Sequence, residues 1–167
     1  MSYLTVALNA IHKKKEFSCG RDLLDYYLHI QAKQDVKRKL SACFILADVD
    51  NAVKGFYTLS SSSIQRELIP EDLKKKLPPS YHHLPATLLG RLAVAIPYKC
   101  QGLGELLLLD ALKRSYDIAI GSIGSMAVIA DPIDESAQKF YEKYGFISLP
   151  DSGKMFLPME TIAALFS

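Results

Sequence analysis

The stretch at 88–116 constrains the fold of this chain more than any other. An apolar run at 88–96, interrupted only by Gly90 and Arg91, enters Lys99-Cys100-Gln101-Gly102-Leu103-Gly104, and a leucine-rich stretch follows at 105–116. That pattern predicts a strand, a glycine turn and a helix. Glycines let the backbone tighten without a Cβ in the way. The first free N–H groups of the helix point into the turn, where the positive end of the helix dipole also lies. Such a corner holds an anionic phosphate. Taken alone, Gly-x-Gly marks only a tight turn. No Gly-Lys-Ser/Thr follows, which argues against a P-loop. Asp131 suits the acidic residue of a dinucleotide fold, but Glu105 to Leu107 stand where that fold wants its third glycine.

A second signal lies downstream. The run at 126–130 reads as a short buried strand. Asp131-Pro132 breaks it, and Asp134-Glu135-Ser136 can start a helix with acidic residues in its first turn. The helix continues through Ala137-Gln138-Lys139-Phe140-Tyr141-Glu142-Lys143-Tyr144 to Gly145, and a strand is predicted at 146–149. The two segments KCQGLG and AQKFYEKYGF, in this order, resemble the acetyl-CoA loop and the later helix of the GCN5-related N-acetyltransferases, the GNAT superfamily. The resemblance implies an α/β (α+β, GNAT) fold. Its central mixed, mostly antiparallel sheet would carry helices on both faces, with strands splayed at the acetyl-CoA site. It implies one acetyltransferase domain over 1–167, acetyl-CoA as donor and no metal. The donor would lie against Leu92, Ala93 and Val94, the turn residues Lys99, Cys100, Gln101, Gly102, Leu103, Gly104 and Glu105, and Phe140. Two positions depart from the family pattern. Lys99 replaces the usual Arg or Gln, and a lysine meets phosphate as a point charge without the arginine fork. Cys100 replaces a frequent glycine. Asp134, where some relatives use Asn against CoA, suits a helix start better.

Composition agrees with a single domain. A chain of 167 residues, 49% apolar, is long enough to bury a sizeable core. No apolar run reaches membrane-spanning length, and no basic region leads into a signal-peptide core. Three cysteines without a pairing pattern suggest a reducing compartment, so the cytoplasm is expected. Strands are predicted at 3–8, 43–47, 52–60 and 155–157. Ser18 is expected to cap a helical stretch at 20–40, as one long helix or two short ones, with Leu24, Leu28, Ala32, Val36 and Leu40 on its apolar face. A short helix is expected from Pro70, and a loop at 78–85.

Net charge is only +2, so no overall field argues for nucleic acid. Its distribution says more. Residues 1–40 carry eight Lys/Arg against four Asp/Glu. Lysine runs are commonly solvated faces. The functional reading is a track for a phosphate backbone along Lys13, Lys14, Lys37, Arg38, Lys74 and Lys75, with Arg91 beside it. A narrower resemblance bears on that choice. Phe17-Ser18-Cys19-Gly20, Leu24-Asp25-Tyr26-Tyr27-Leu28, Ala32-Lys33-Gln34-Asp35 and Leu89-Gly90-Arg91-Leu92-Ala93-Val94 are similar to segments of GNAT toxins from bacterial toxin–antitoxin pairs. That resemblance implies acetylation of the α-amino group of aminoacyl-tRNA and a block of translation. It also implies homodimers and a ribbon-helix-helix antitoxin.

The chemistry can be argued from residue types. An acetyl thioester is attacked by a neutral amine. A free α-amino group has a pKa of about 7.7–8.0, and a lysine amine about 10.4. The α-amine therefore needs no strong base near neutrality, and the chain shows none. What remains is to orient the thioester, stabilise the oxyanion and help the thiolate leave. The resemblance gives the first tasks to the backbone at Ala93-Val94 and the last to the Tyr141 hydroxyl. The plain alternative makes Tyr141 a core aromatic beside Phe140, with Tyr144 as competitor. His82-His83 lacks a partner at metal-ligand spacing and reads as surface, as do His12 and His29. Cys100 reads as a filler beside the turn rather than a nucleophile. Ser60 to Ser63 line a substrate groove or simply end a strand. Arg91, inside an apolar strand, needs either a structural partner or an acceptor phosphate. Two other functions stay open: acetylation of small-molecule or protein amines, and a non-catalytic acyl-CoA-binding regulatory module.

Overall fold

The computed structural model describes residues 2–167. Seven strands form a mostly antiparallel sheet in the order β1-β2-β3-β4-β5-β7-β6. The strands are β1 (Val6–Ala7), β2 (Ala42–Ala47), β3 (Val53–Gln65), β4 (His83–Val94), β5 (Ala127–Ala130), β6 (Ile147–Ser148) and β7 (Met155–Pro158). The helices are α1 (Asp22–Tyr26), α2 (Ala32–Lys37), α3 (Glu71–Lys74), α4 (Leu103–Gly121), α5 (Glu135–Lys143) and α6 (Met159–Leu165). The chain divides into two compact units, Met1–Ser60 with Leu89–Arg114, and Ser61–Leu88 with Ser115–Ser167.

In the first unit, β2 pairs antiparallel with β3, Cys43 opposite Thr58 and Ile45 opposite Phe56. Strand alternation puts these residues on one face and Phe44, Tyr57 and Gly55 on the other. The first face packs beneath Phe17, Tyr27, Leu28 and Ala32, all buried. The second face meets α4. The helical stretch at 20–40 is broken differently from the expectation. A π-helical turn, Tyr27–Gln31, joins α1 to α2. It turns Tyr27 and Leu28 together into the core, where they are 2% and 0% exposed. Leu40 leaves the apolar face and is 64% exposed, because the helix ends before Lys39 takes a positive φ. Ser18 does not cap it; its carbonyl accepts from the Ile96 N–H instead.

The expected first strand shrinks to two residues. A polar cluster takes up the chain before it. The Leu4 N–H and the hydroxyls of Thr5 and Tyr57 donate to the Asp110 carboxylate at 2.7, 2.5 and 2.7 Å. Arg114 donates to Tyr57 and Thr5 and lies over the rings of Tyr3 and Phe44. Two charges of opposite sign are thus satisfied inside a half-apolar setting, which burial demands.

In the second unit, β7 pairs antiparallel with both β5 and β6. Its core gathers Ile64, Ile69, Leu84, Ala86, Ile129 and Phe156. Two expectations are corrected here. Strand β3 runs on through the serines to Gln65, because Ile64 turns inward while Ser61 and Ser63 face solvent. Residues 83–85 belong to β4 rather than to a loop, since Leu84 and Ala86 alternate inward. Helix α6 has no counterpart among the predicted elements; it follows Pro158 directly and buries Ile162.

Candidate active site

The glycine turn is where the sequence places it. Helix α4 starts at Leu103, and its first backbone bond runs from the Leu106 N–H to the Gly102 carbonyl, 3.2 Å. The amides of Leu103, Gly104 and Glu105 precede that bond and form the free helix start. The two glycines differ in role. Gly102 has φ +78 and open space where a Cβ would stand. Gly104 is already helical, so the turn does not need its left-handed freedom. Cys100 carries the other left-handed backbone, φ 63. This conformation costs an ordinary residue roughly 1–2 kcal/mol. Cys100 is exposed. Gln101 donates to the Pro97 carbonyl at 3.3 Å. The Lys99 ammonium lies beside Gly20, 3.7 Å from where a Cβ on that residue would stand.

Before the turn, Ala93 is 5% exposed, and Leu92 and Val94 are half-buried. Strands β3 and β4 meet closely here. A Cβ on Gly55 would stand 2.9 Å from the Ala93 carbonyl oxygen and 2.7 Å from Leu107 Cδ1. Only glycine lets β4 and α4 approach β3 at this point. The Ala95 N–H then donates to the Lys54 carbonyl at 2.7 Å.

Arg91 has its partner. Its guanidinium lies 3.6 Å from the centroid of the Tyr27 ring, in the π turn. The Tyr27 hydroxyl donates to Asp35 at 3.0 Å. Burial pushes the Tyr27 phenol up to about 12, against the opposing pull of Arg91. Arg91 therefore packs structurally against Tyr27, and the residue is half-exposed.

Tyr141 lies in the second unit on α5. Asp134 caps that helix, accepting the Ala137 N–H at 2.8 Å, which confirms its helix-start role. Tyr141 is 7% exposed, with Phe146 at 5.1 Å and Phe140 edge-on at 5.4 Å. Burial first, and Asp131 second, raise its pKa well above the ordinary phenol value. Its hydroxyl stays protonated across the physiological range and can only donate or share its proton. Phe140 packs edge-on against both Tyr141 and Tyr144.

The basic clusters are not alike. Lys13 is exposed and Lys14 half-buried, its pKa lowered by burial and by Lys33 and Lys15. Lys37 and Arg38 are exposed at the end of α2. Lys74 pairs with Glu71 at 3.1 Å and Lys76 with Glu160 at 3.7 Å, while Lys75 is exposed. Lys14 and Lys33, from two of the clusters, are close enough for the second to depress the pKa of the first. His82 and His83 are exposed, as expected. His12 is not: it is 6% exposed and accepts the Asn9 N–H, and burial lowers its pKa. Among the described residues no group of three or more His, Cys, Asp or Glu could hold a metal ion, and no helix is long and apolar enough to cross a membrane.

Sequence reading missed Arg66. Its guanidinium donates to the carbonyls of Lys74, Leu77, Pro78 and Tyr81. It thereby satisfies the end of α3 and shapes the loop at 75–82.

The profile of the acetyltransferase (GNAT) family matches residues 8–146. The chain belongs to that family. This acetyltransferase is 35% identical over 150 residues to a tRNA-acetylating toxin of Mycobacterium tuberculosis, covering 89% of this chain and 87% of the relative. It is similar to AtaT complexed with acetyl-methionyl-tRNAfMet, with TM-score 0.90 and 26% identity over 99% of this chain and 100% of that one. It is also similar to AtaTR bound with AcCoA, with TM-score 0.85 and 28% identity over 98% and 97% of the two chains.

Proposed function

We propose that this acetyltransferase moves the acetyl group of acetyl-CoA onto the α-amino group of aminoacyl-tRNA and acts as a translation-blocking toxin. The observation that carries the reading is the near full-length similarity to tRNA-acetylating toxins, 35% identical in one case. The local geometry supports the donor half. The amides of Leu103, Gly104 and Glu105 at the start of α4, with Gly102 left open, suit a pyrophosphate. Lys99, Cys100 and Gln101 line its approach. The backbone of Leu92, Ala93 and Val94 aligns the thioester, and Phe140 borders the pantetheine end.

The neutral amine attacks the thioester carbonyl carbon. The N–C bond forms, the C–S bond breaks, and the electron pair leaves on sulfur. Tyr141 donates a hydrogen bond to that sulfur as charge develops. The amine loses one proton to solvent, and the departing thiolate gains one. A phenol is a weaker acid than a thiol, about 10 against 8.5. The buried Tyr141 therefore stabilises the leaving thiolate chiefly as a donor and gives up its proton late, with water restoring it.

Lys13, Lys14, Lys37, Arg38 and Lys75 would meet tRNA phosphates, with Arg91 near the acceptor end. A ribbon-helix-helix antitoxin and a homodimer belong to the same reading, with the cytoplasm as the compartment. The test incubates the protein with radiolabelled acetyl-CoA and charged or uncharged tRNA. Label on charged tRNA only, released with the amino acid by mild base, is expected. Label on free amines or protein lysines alone, with growth unaffected by expression, would replace this reading with an ordinary amine acetyltransferase.

A further inference from the structure

We propose that a hollow in the first unit receives an unpaired base from the 3′ end of charged tRNA; this subsite rests on the tRNA reading above. The hollow measures about 420 Å³ and lies among residues 13–18, Ala52-Val53 and residues 95–98. Backbone bonds build it in advance. The Lys13 N–H donates to the Asn51 carbonyl at 2.9 Å, and the Ile96 N–H to the Ser18 carbonyl at 2.8 Å. The floor is apolar, with Phe17, Val53 and Ala95 at 3%, 5% and 5% exposed. Tyr98 forms one wall, and the Lys54 ammonium stands 5.2 Å from its ring centroid. Glu16, Ser18 and Lys13 supply the polar rim.

This combination fits a nucleotide better than an apolar side chain. An aromatic wall next to a dry floor accepts the face of a base, and single-stranded bases are held in that way. Lys13, Lys54 and the neighbouring Lys14 and Lys15 match the flanking phosphates. The Glu16 carboxylate can accept from an exocyclic amino group, which favours adenine or cytosine. The nucleotide end of CoA is the less suitable source. Helix α4, which offers the pyrophosphate amides, packs on the Gly55 and Tyr57 face of β3. Phe17 packs edge-on against Phe56 at 5.4 Å, on the opposite face, and the Lys54 ammonium reaches the hollow through its contact with the Tyr98 ring.

Steady-state kinetics of Tyr98→Ala and Tyr98→Phe test the subsite, with charged tRNA and with an amino-acid ester lacking any nucleotide as acceptors. The expected result for Tyr98→Ala is a KM for charged tRNA raised about ten-fold, the scale of one missing base stack. The KM for acetyl-CoA and turnover of the ester should hold, and Tyr98→Phe should restore tRNA affinity. An unchanged KM for charged tRNA overturns the proposal. So does an equal loss with the ester, which would mark structural damage. Escape from antitoxin neutralisation with normal tRNA kinetics would assign the hollow to a protein partner instead. If the parent enzyme acetylates the ester but never charged tRNA, the tRNA reading itself has failed, and the subsite falls with it.

Discussion

Removal of one oxygen atom from Tyr141 separates its two roles. The ring fills space against Phe140 and Phe146, and the hydroxyl alone is available for chemistry. Tyr141→Phe should keep the fold and acetyl-CoA affinity while turnover falls about ten- to a thousand-fold, the range of one acid–base or oxyanion group. Rapid-quench assays beside calorimetry would measure both, and a near-parental rate would pass the proton to water. The raised pKa adds a pH signature. The rate should climb with pH as the substrate amine loses its proton, with no alkaline fall from Tyr141 below pH about 10, its ordinary value. Stability follows the same sign. A phenol whose folded pKa is raised contributes fully below the unfolded value and loses that contribution as pH rises through the folded one. For Tyr27 that window runs from the ordinary value up to about 12. Melting temperature should therefore hold flat from pH 7 to 9, other titrations aside, and fall above about 10. Gly104 offers a cleaner probe of the turn than Gly102, whose positive φ would strain any replacement. Gly104 lies within the first turn of α4, so Gly104→Val needs no left-handed backbone and adds bulk beside the free amides. Acetyl-CoA affinity should drop at least ten-fold by calorimetry, and unchanged binding would move the pyrophosphate elsewhere.

At the scale of elements, α5 depends on its cap. Asp134→Ala removes the acceptor for the Ala137 N–H and should lower stability by about 1 kcal/mol. Because Tyr141 sits less than two turns after the capped start of that helix, fraying should lower turnover before it lowers acetyl-CoA affinity. Hydrogen exchange at residues 135–138 would register the loosened end. The elements legible in the sequence share a property: their signals are local. The strand–turn–helix of 88–116 and the capped helix at 134–144 each carry their instructions within a dozen or so neighbours. The π turn is different. Its cause is the demand of Phe56 and Arg91 for Tyr27, residues far along the chain. The Asp110–Arg114 cluster is equally non-local; the Leu4 bond to Asp110 spans 106 positions. No window of sequence contains both partners. Helix α6 is a simpler omission, since Glu160 to Leu165 are mostly helix formers directly after a proline. Within the candidate site, the residue types were readable, but their distinct roles were not. Gly102 and Cys100 bend the turn, Gly104 clears it, and Gly55, unnoticed in sequence, lets β4 close on β3.

For the whole molecule, charge distribution outweighs net charge. If several lysines meet phosphates, affinity for charged tRNA should fall steeply with added salt. Neutralising Lys13, Lys14 and Lys15 together should flatten that slope by about one unit for each phosphate they no longer meet. Filter binding across a salt series would decide it, and an unaltered slope would leave these lysines as a solvated face. A second global readout comes from the thiols. Burial raises Cys19 to about 11 and Cys43 to about 12, whereas Cys100 is exposed. One thiol should react promptly with a disulfide reagent in the native protein, and three after denaturation.

The division of the chain also sets a timetable for its synthesis. Leu4 and Thr5, once made, find their partners only when Asp110 and Arg114 have followed. Contacts of such separation form slowly. The unit that holds the glycine turn is complete in covalent terms at Arg114. The segment bearing Tyr141 is made afterwards. Under the proposed mechanism, a growing chain thus acquires its donor turn before its leaving-group tyrosine. Under the proposed function, the ribosome that makes this chain stays beyond its reach until most of the chain has been made.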